Sequence, residues 1–160
     1  MTILRKVFLV AVLLAGAAML ASSPANAKPA AKARPAAKVQ SRFATVNGVK
    51  LHYLIAGKGS PVLLLHGFAE TSHMWLPLIA KLAPTHTVIA PDLRGYGESA
   101  KPATGYGKKN MAVDIHALME SLGDRHIELV GHDIGLMVAY AYAAQFPDEV
   151  ERIVLMDAFL

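Results

Sequence analysis

The chain has 160 residues, a formal net charge of +4 and no cysteine, which leaves room for one domain at most and excludes disulfides, thiolate zinc sites and lipid attachment through cysteine. Residues 1–41 carry six basic residues (Arg5, Lys6, Lys28, Lys32, Arg34 and Lys38) and no acidic one, leaving ten basic against twelve acidic residues in 42–160. The balance of that larger part is about −2, so the basic excess belongs to the N-terminal tract, and a nucleic-acid partner loses its support.

Arg5 and Lys6 precede a wholly apolar run over residues 7–21, and "SSPANA" then ends in Ala25-Asn26-Ala27. A positive start, an apolar centre and a small-x-small exit predict a secretory signal peptide over residues 1–27, cleaved after Ala27. The expected protein is exported, periplasmic or secreted, with no stable membrane association once cleaved. An uncleaved anchor is the alternative, because residues 7–27 are long enough to span a bilayer. Residues 28–41, "KPAAKARPAAKVQS", have almost nothing to bury and read as a disordered linker. The folded part is expected over 42–160.

Two strand-like runs, "RFATV" and "KLHYLIA", flank Asn47-Gly48, a dipeptide that favours a tight hairpin turn. "PVLLLH" (61–66) is a short continuous apolar run, as expected of a strand covered on both faces. A helix is predicted over 72–82, with Trp75, Leu78, Ile79 and Leu82 on one face. "HTVIAPD" (86–92) is the next strand, and Gly95 and Gly97 in "DLRGYGES" mark a loop. Residues 109–122 form an amphipathic helix through Met111, Ile115, Leu118, Met119 and Leu122, ended by Gly123. A strand "HIELV" (126–130), a helix "LMVAYAYAAQF" apolar almost all round, and a strand "VERIVLMDAF" follow. This alternation predicts an α/β fold with a mostly parallel, doubly wound sheet and right-handed crossovers. The sequence stops just past a core strand with no helix to cover it, so a fragment of something longer is expected.

Gly131-His132-Asp133-Ile134-Gly135 lies between a strand and a helix. Small residues on both sides of a sharp turn let the central side chain stand clear at the sheet's carboxyl edge, which is the geometry of a nucleophile elbow. A plain helix cap is the competing reading, since aspartate fills that position well. His66-Gly67-Phe68 ends an earlier strand, from which a loop aims a backbone N–H at the same edge. With "HGF", "DLRGYGES" and "GHDIG" in this order, the chain resembles the α/β-hydrolase superfamily from about residue 43 to 160. An aspartate at the elbow further resembles the branch holding epoxide hydrolases, haloalkane dehalogenases and fluoroacetate dehalogenases.

That resemblance implies a function. A carboxylate with an ordinary pKa is ionised at neutral pH and needs no base before it attacks. Asp133 would attack a saturated carbon bearing a leaving group, form an alkyl-enzyme ester, and have the ester opened by water activated by a histidine. Family oxyanion donors map to the backbone N–H groups of Phe68 and Ile134, with His66, Gly67, Gly131, His132 and Gly135 shaping the two loops. Asp157, after the following strand, is the candidate acid; in other members the acid comes from a later strand, and here a strand-end or loop role competes. In the superfamily the catalytic histidine follows the sheet's last strand, so the resemblance implies that it lies beyond these residues, together with the cap domain and its epoxide-protonating tyrosines. His66 and His132 occupy motif positions, and His52, His73, His86, His116 and His126 sit at element ends or on helix faces. No cofactor and no metal are implied.

Three departures bear on the substrate. Ala69 follows "HGF" where epoxide hydrolases typically carry a cis proline. Ile134 follows the nucleophile where haloalkane dehalogenases use a tryptophan N–H to bind halide, and the fluoroacetate enzymes carry arginines that Ile134 and Met137 do not replace. A small, neutral organic substrate is expected, most like an epoxide. A dehalogenase or an ester or lactone hydrolase of the same fold is the first alternative, and a non-catalytic fragment or binding domain the second. The "DLRGYGES" loop is expected to be architectural through Asp92 and Arg94, and Trp75 is a core residue or the wall of a substrate pocket.

Overall fold

A hairpin opens the sheet of the computed structural model, which describes residues 38–157. The expected signal peptide, the expected linker up to residue 37 and residues 158–160 lie outside the described residues. Strand β1 (Gln40–Val46) turns into β2 (Val49–Gly57) through Asn47 and Gly48, whose φ values are 49° and 72°. Two left-handed residues make the mirror-type turn whose twist suits a two-residue hairpin. The strand starts at Gln40, so the last two residues of the expected linker pair with Ile55 and Leu54.

Strands β3 (Ser60–Leu65), β4 (His86–Pro91), β5 (Ile127–His132) and β6 (Val150–Met156) complete a six-stranded sheet of order β1-β2-β4-β3-β5-β6. β4, β3, β5 and β6 run parallel, and the hairpin joins antiparallel through β2 and β4. Side chains alternate across a strand. Leu63 and Leu65 therefore enter one core with the two long helices, and Val62 and Leu64 enter another with the short one.

The helix predicted over 72–82 divides in two. A 3-10 turn (Ser72–Trp75) leads into α1 (Leu76–Leu82), with Pro77 in the first turn of α1. Proline has no N–H to give to the carbonyl four residues back and clashes with it, so the α-helix starts only where proline is tolerated. Trp75 and Ile79 are buried, and Leu78 and Leu82 pack around them. Helix α2 (Lys108–Leu122) ends as predicted at Gly123, with φ 82°. Helix α3 begins two residues earlier than the apolar run suggested, at Ile134 (Ile134–Gln145), and packs against α2, β5, β6 and β3. One side of α3 stays open, where Tyr140 is exposed.

The loop after β4 is held by ionic ties. Asp92 is buried and accepts from the backbone N–H of Ser72 (2.6 Å), the backbone N–H of Glu98 (2.9 Å) and the His52 ring (2.8 Å). Arg94 clasps Asp114 of α2 through Nε (2.6 Å) and Nη2 (2.7 Å), a two-point fit that guanidinium makes well. Burial alone would push the Asp92 carboxyl upward, but the amide donors and His52 outweigh it and hold the group below its ordinary value. A carboxyl depressed in the folded state stabilises above its unfolded pKa and loses that contribution as pH falls through the folded value. Asp92→Asn is therefore expected to cost about 1–3 kcal/mol at neutral pH. The deficit should narrow below a pH of about 4. Urea unfolding of both proteins from pH 7 to pH 3 checks this, and a gap that stays constant over that range rejects it.

Candidate active site

The strand order reverses at β3. The chain crosses from β3 to β4 on one side, then back over β3 to β5 on the other. In an open α/β sheet the crevice beyond the carboxyl ends of the strands at such a reversal is where ligands bind. His66-Gly67-Phe68 leaves β3 there, and Asp133 leaves β5.

Asp133 precedes α3 with φ 49° and ψ −119°, and its side chain makes no capping hydrogen bond. That removes the plain cap reading. A non-glycine residue in this region carries about 1–3 kcal/mol of strain, which the surroundings must impose. They do so by close approach. A Cβ on Gly135 would lie 2.6 Å from the His66 carbonyl oxygen, and one on Gly131 would lie 2.7 Å from the Leu136 Cα. The strand end and the helix start are thus pressed together with Asp133 at the apex, anchored by its N–H on the Met156 carbonyl (3.0 Å).

Phe68 has its ring turned outward, 68% exposed, so what it contributes is its amide. The Phe68 N–H donates to Asp133 Oδ2 at 2.9 Å. Ile134 is the first residue of α3, and its side chain is partly buried against the core; its N–H belongs to the helix's first turn, where amides lack intrahelical partners. Ala69 takes φ 56°, a backbone conformation closed to proline, whose ring fixes φ near −65°.

The histidines divide by their partners. His66 is buried, with Nδ1 on the Gly67 carbonyl (2.8 Å) and Nε2 accepting the Leu93 N–H (3.0 Å). An accepting Nε2 fixes the neutral Nδ1–H form, and burial holds its pKa below the ordinary histidine value. It ties two loops together and is unavailable as a base. Among the described residues no histidine hydrogen-bonds the Asp133 carboxylate. Tyr96 meets the His66 ring edge-on at 5.2 Å, and burial, then the Asp133 charge, raise its pKa, so it stands near the elbow as a neutral phenol.

A match to the family model described as alpha/beta hydrolase fold covers residues 60–160. The chain belongs to that family. Among curated α/β-hydrolase relatives, the soluble epoxide hydrolase of Corynebacterium sp. (strain C12) is 45% identical over 114 residues, 71% of this chain and 40% of its own length. The fluoroacetate dehalogenase of Burkholderia sp. is 37% identical over 123 residues, 74% of this chain and 40% of its own. A solved epoxide hydrolase superposes with a TM-score of 0.75 at 42% identity, covering 76% of this chain and 43% of that one. The chain thus spans about two fifths of these relatives' length.

One residue beside the candidate site of this α/β-hydrolase carries no signal in the sequence. Glu70 Oε2 accepts the Gly67 N–H (2.9 Å) and meets His132 Nδ1 (3.0 Å). It fastens the loop that carries Phe68 to the residue before Asp133. No spacing signals this pairing, because residues 70 and 132 meet only through the β3–β5 register. Asp157, the candidate acid, has φ 55°, is 88% exposed, and lies with Oδ2 3.6 Å from His132 Nε2. His132 therefore stands between two carboxylates. Trp75 is buried in the core against Val62, Leu64 and Ile79, with Nε1 unpartnered, rather than open at the sheet's edge.

Proposed function

We propose that Asp133 is the nucleophile of a hydrolase that opens epoxides to diols through an alkyl-enzyme ester. The observation that carries this reading is the Phe68 N–H on Asp133 Oδ2 at 2.9 Å. One carboxylate oxygen is held by an amide donor, which leaves the other to attack a ring carbon as the carbon–oxygen bond breaks and the released alkoxide takes a proton from water. When water later adds to the ester carbonyl, Oδ2 carries the developing charge. The Phe68 amide, joined by that of Ile134, then stabilises it. We assign water activation to a histidine supplied by the protein from outside these 160 residues, and Glu70 to holding the Phe68 loop in register with the elbow.

The fluoroacetate dehalogenase relative supports a second reading, halide displacement by the same carboxylate. Ile134 and Met137 weigh against it, since neither side chain offers a donor or a cation to halide or carboxylate. An ester or lactone hydrolase of the same fold follows behind. The test mixes the protein carrying this segment with an aryl epoxide, quenches within one turnover and weighs the peptide containing Asp133. A mass gain of one epoxide, with diol as product, is expected. Halide from a haloalkane without diol from the epoxide would move the assignment to the second reading.

A further inference from the structure

We infer that Ser41, on the edge strand far from the elbow in sequence, is a second nucleophile, activated by His52 and Asp92 to take an acyl group from small activated esters. Ser41 Oγ lies 2.9 Å from His52 Nε2, and His52 Nδ1 lies 2.8 Å from Asp92 Oδ2. The order of groups is hydroxyl, imidazole, carboxylate, with the two ring nitrogens used as a Ser-His-Asp relay uses them. None of the three belongs to the elbow.

The local structure sets this arrangement. In the hairpin register Ser41 faces Leu54 and Phe43 faces His52, so Ser41 and His52 are diagonal neighbours on one face of the sheet. His52 is fully buried and Asp92 nearly so, while Ser41 on the outermost strand is exposed. The base and its orienting acid are therefore held away from water, and the hydroxyl is presented to it. The Phe43 ring (centroids 5.1 Å) and the stacked His73 ring (6.4 Å) flank the imidazole.

Asp92 accepts two backbone N–H groups besides the imidazole, a setting that favours the carboxylate. A carboxylate only accepts, so His52 Nδ1 carries the hydrogen on that side and Nε2 offers its lone pair to the Ser41 hydroxyl. In the reaction Ser41 Oγ bonds to the ester carbonyl carbon and its proton passes to His52 Nε2. The bond from that carbon to the leaving phenol oxygen breaks, and the phenolate takes the proton up. At an exposed edge the transient oxyanion faces solvent water rather than paired amide donors. One acylation by an activated ester is expected, not fast turnover.

The probe is 4-nitrophenyl acetate, with acetylation mapped by mass spectrometry. Trypsin releases residues 39–42, "VQSR", in which Ser41 is the one hydroxyl. Ser60 is an exposed serine that, although opposite His86 in the β3–β4 register, makes no hydrogen bond to a histidine among the described residues, and it serves as the internal reference. General-base assistance predicts acetylation of Ser41 about 10²-fold faster than of Ser60. A ratio below about tenfold overturns the inference, as a serine that merely satisfies a core histidine would give. The Ser41→Ala variant should lose the label in residues 39–42 and keep the native circular dichroism. A natively folded His52→Gln variant that still acetylates at the full rate also overturns it. If His52→Gln does not fold, the Ser41-to-Ser60 ratio in the unaltered protein decides alone. Asp133→Asn should leave Ser41 labelling unchanged, which separates the fate of this inference from that of the epoxide reading.

Discussion

In the protein that carries this segment, Asp133→Asn is expected to lower kcat for the proposed epoxide opening by about 10⁴-fold or more while leaving the fold intact. That factor corresponds to about 5 kcal/mol of lost transition-state stabilisation. An amide cannot form the alkyl ester that a carboxylate forms, so the whole two-step route closes rather than one contact within it. Stability should scarcely change, for reasons visible around the side chain. It makes no helix-capping bond. Its Oδ2 accepts from Phe68 in an exposed setting, and the asparagine carbonyl can accept the same N–H. Asparagine also tolerates a positive φ better than most residues, and φ here is 49°. Steady-state kinetics with an aryl epoxide, alongside thermal unfolding, separates the two effects. Full turnover by the variant would sink the covalent mechanism and turn attention to a water attacking the substrate directly.

Much of this site was legible because its parts are local. The elbow announces itself through two glycines four residues apart around one carboxylate, and the hairpin through Asn47-Gly48. Each signal sits within a few residues and owes its form to backbone sterics. The "DLRGYGES" ties were legible in kind, as Asp92 and Arg94 do bond neighbouring elements. Their partners Ser72 and Asp114 lie 20 residues away on either side and carry no pattern of their own. Glu70 was missed for the same reason: its two contacts exist only once β3 and β5 lie side by side. Helix starts shifted where a local residue blurred the period. Pro77 delayed α1, and Gly135 hid the first turn of α3 by looking like loop. The strand order belongs to the crossovers, and it is the order that brings residues 66–68 and 133 to one crevice.

Gly135→Ala puts two general rules in opposition, and the geometry decides between them. Glycine inside a helix is about 1 kcal/mol worse than alanine, so propensity predicts a more stable protein. Against that, the new Cβ would collide with the carbonyl oxygens of Leu65 and His66, both backbone atoms of the β3 end. Neither can swing aside as a flexible side chain would. β3 is flanked by β4 and β5 in the sheet, and the His66 ring is tied to Leu93. Relief must come from α3 moving outward, which opens the contact with Gly131 and drags Asp133 with it. Overpacking of this kind costs about 1–3 kcal/mol, which exceeds the propensity gain through most of that range. Displacing the proposed nucleophile by about 1 Å should cost the protein carrying this segment a further 10²-fold or so in rate. The expected result is a lower melting temperature together with a loss in kcat greater than the loss in folded fraction. A variant that melts higher and turns over normally would show that the elbow has slack the backbone contacts do not suggest, and would remove close packing as the reason Asp133 is held in its left-handed conformation.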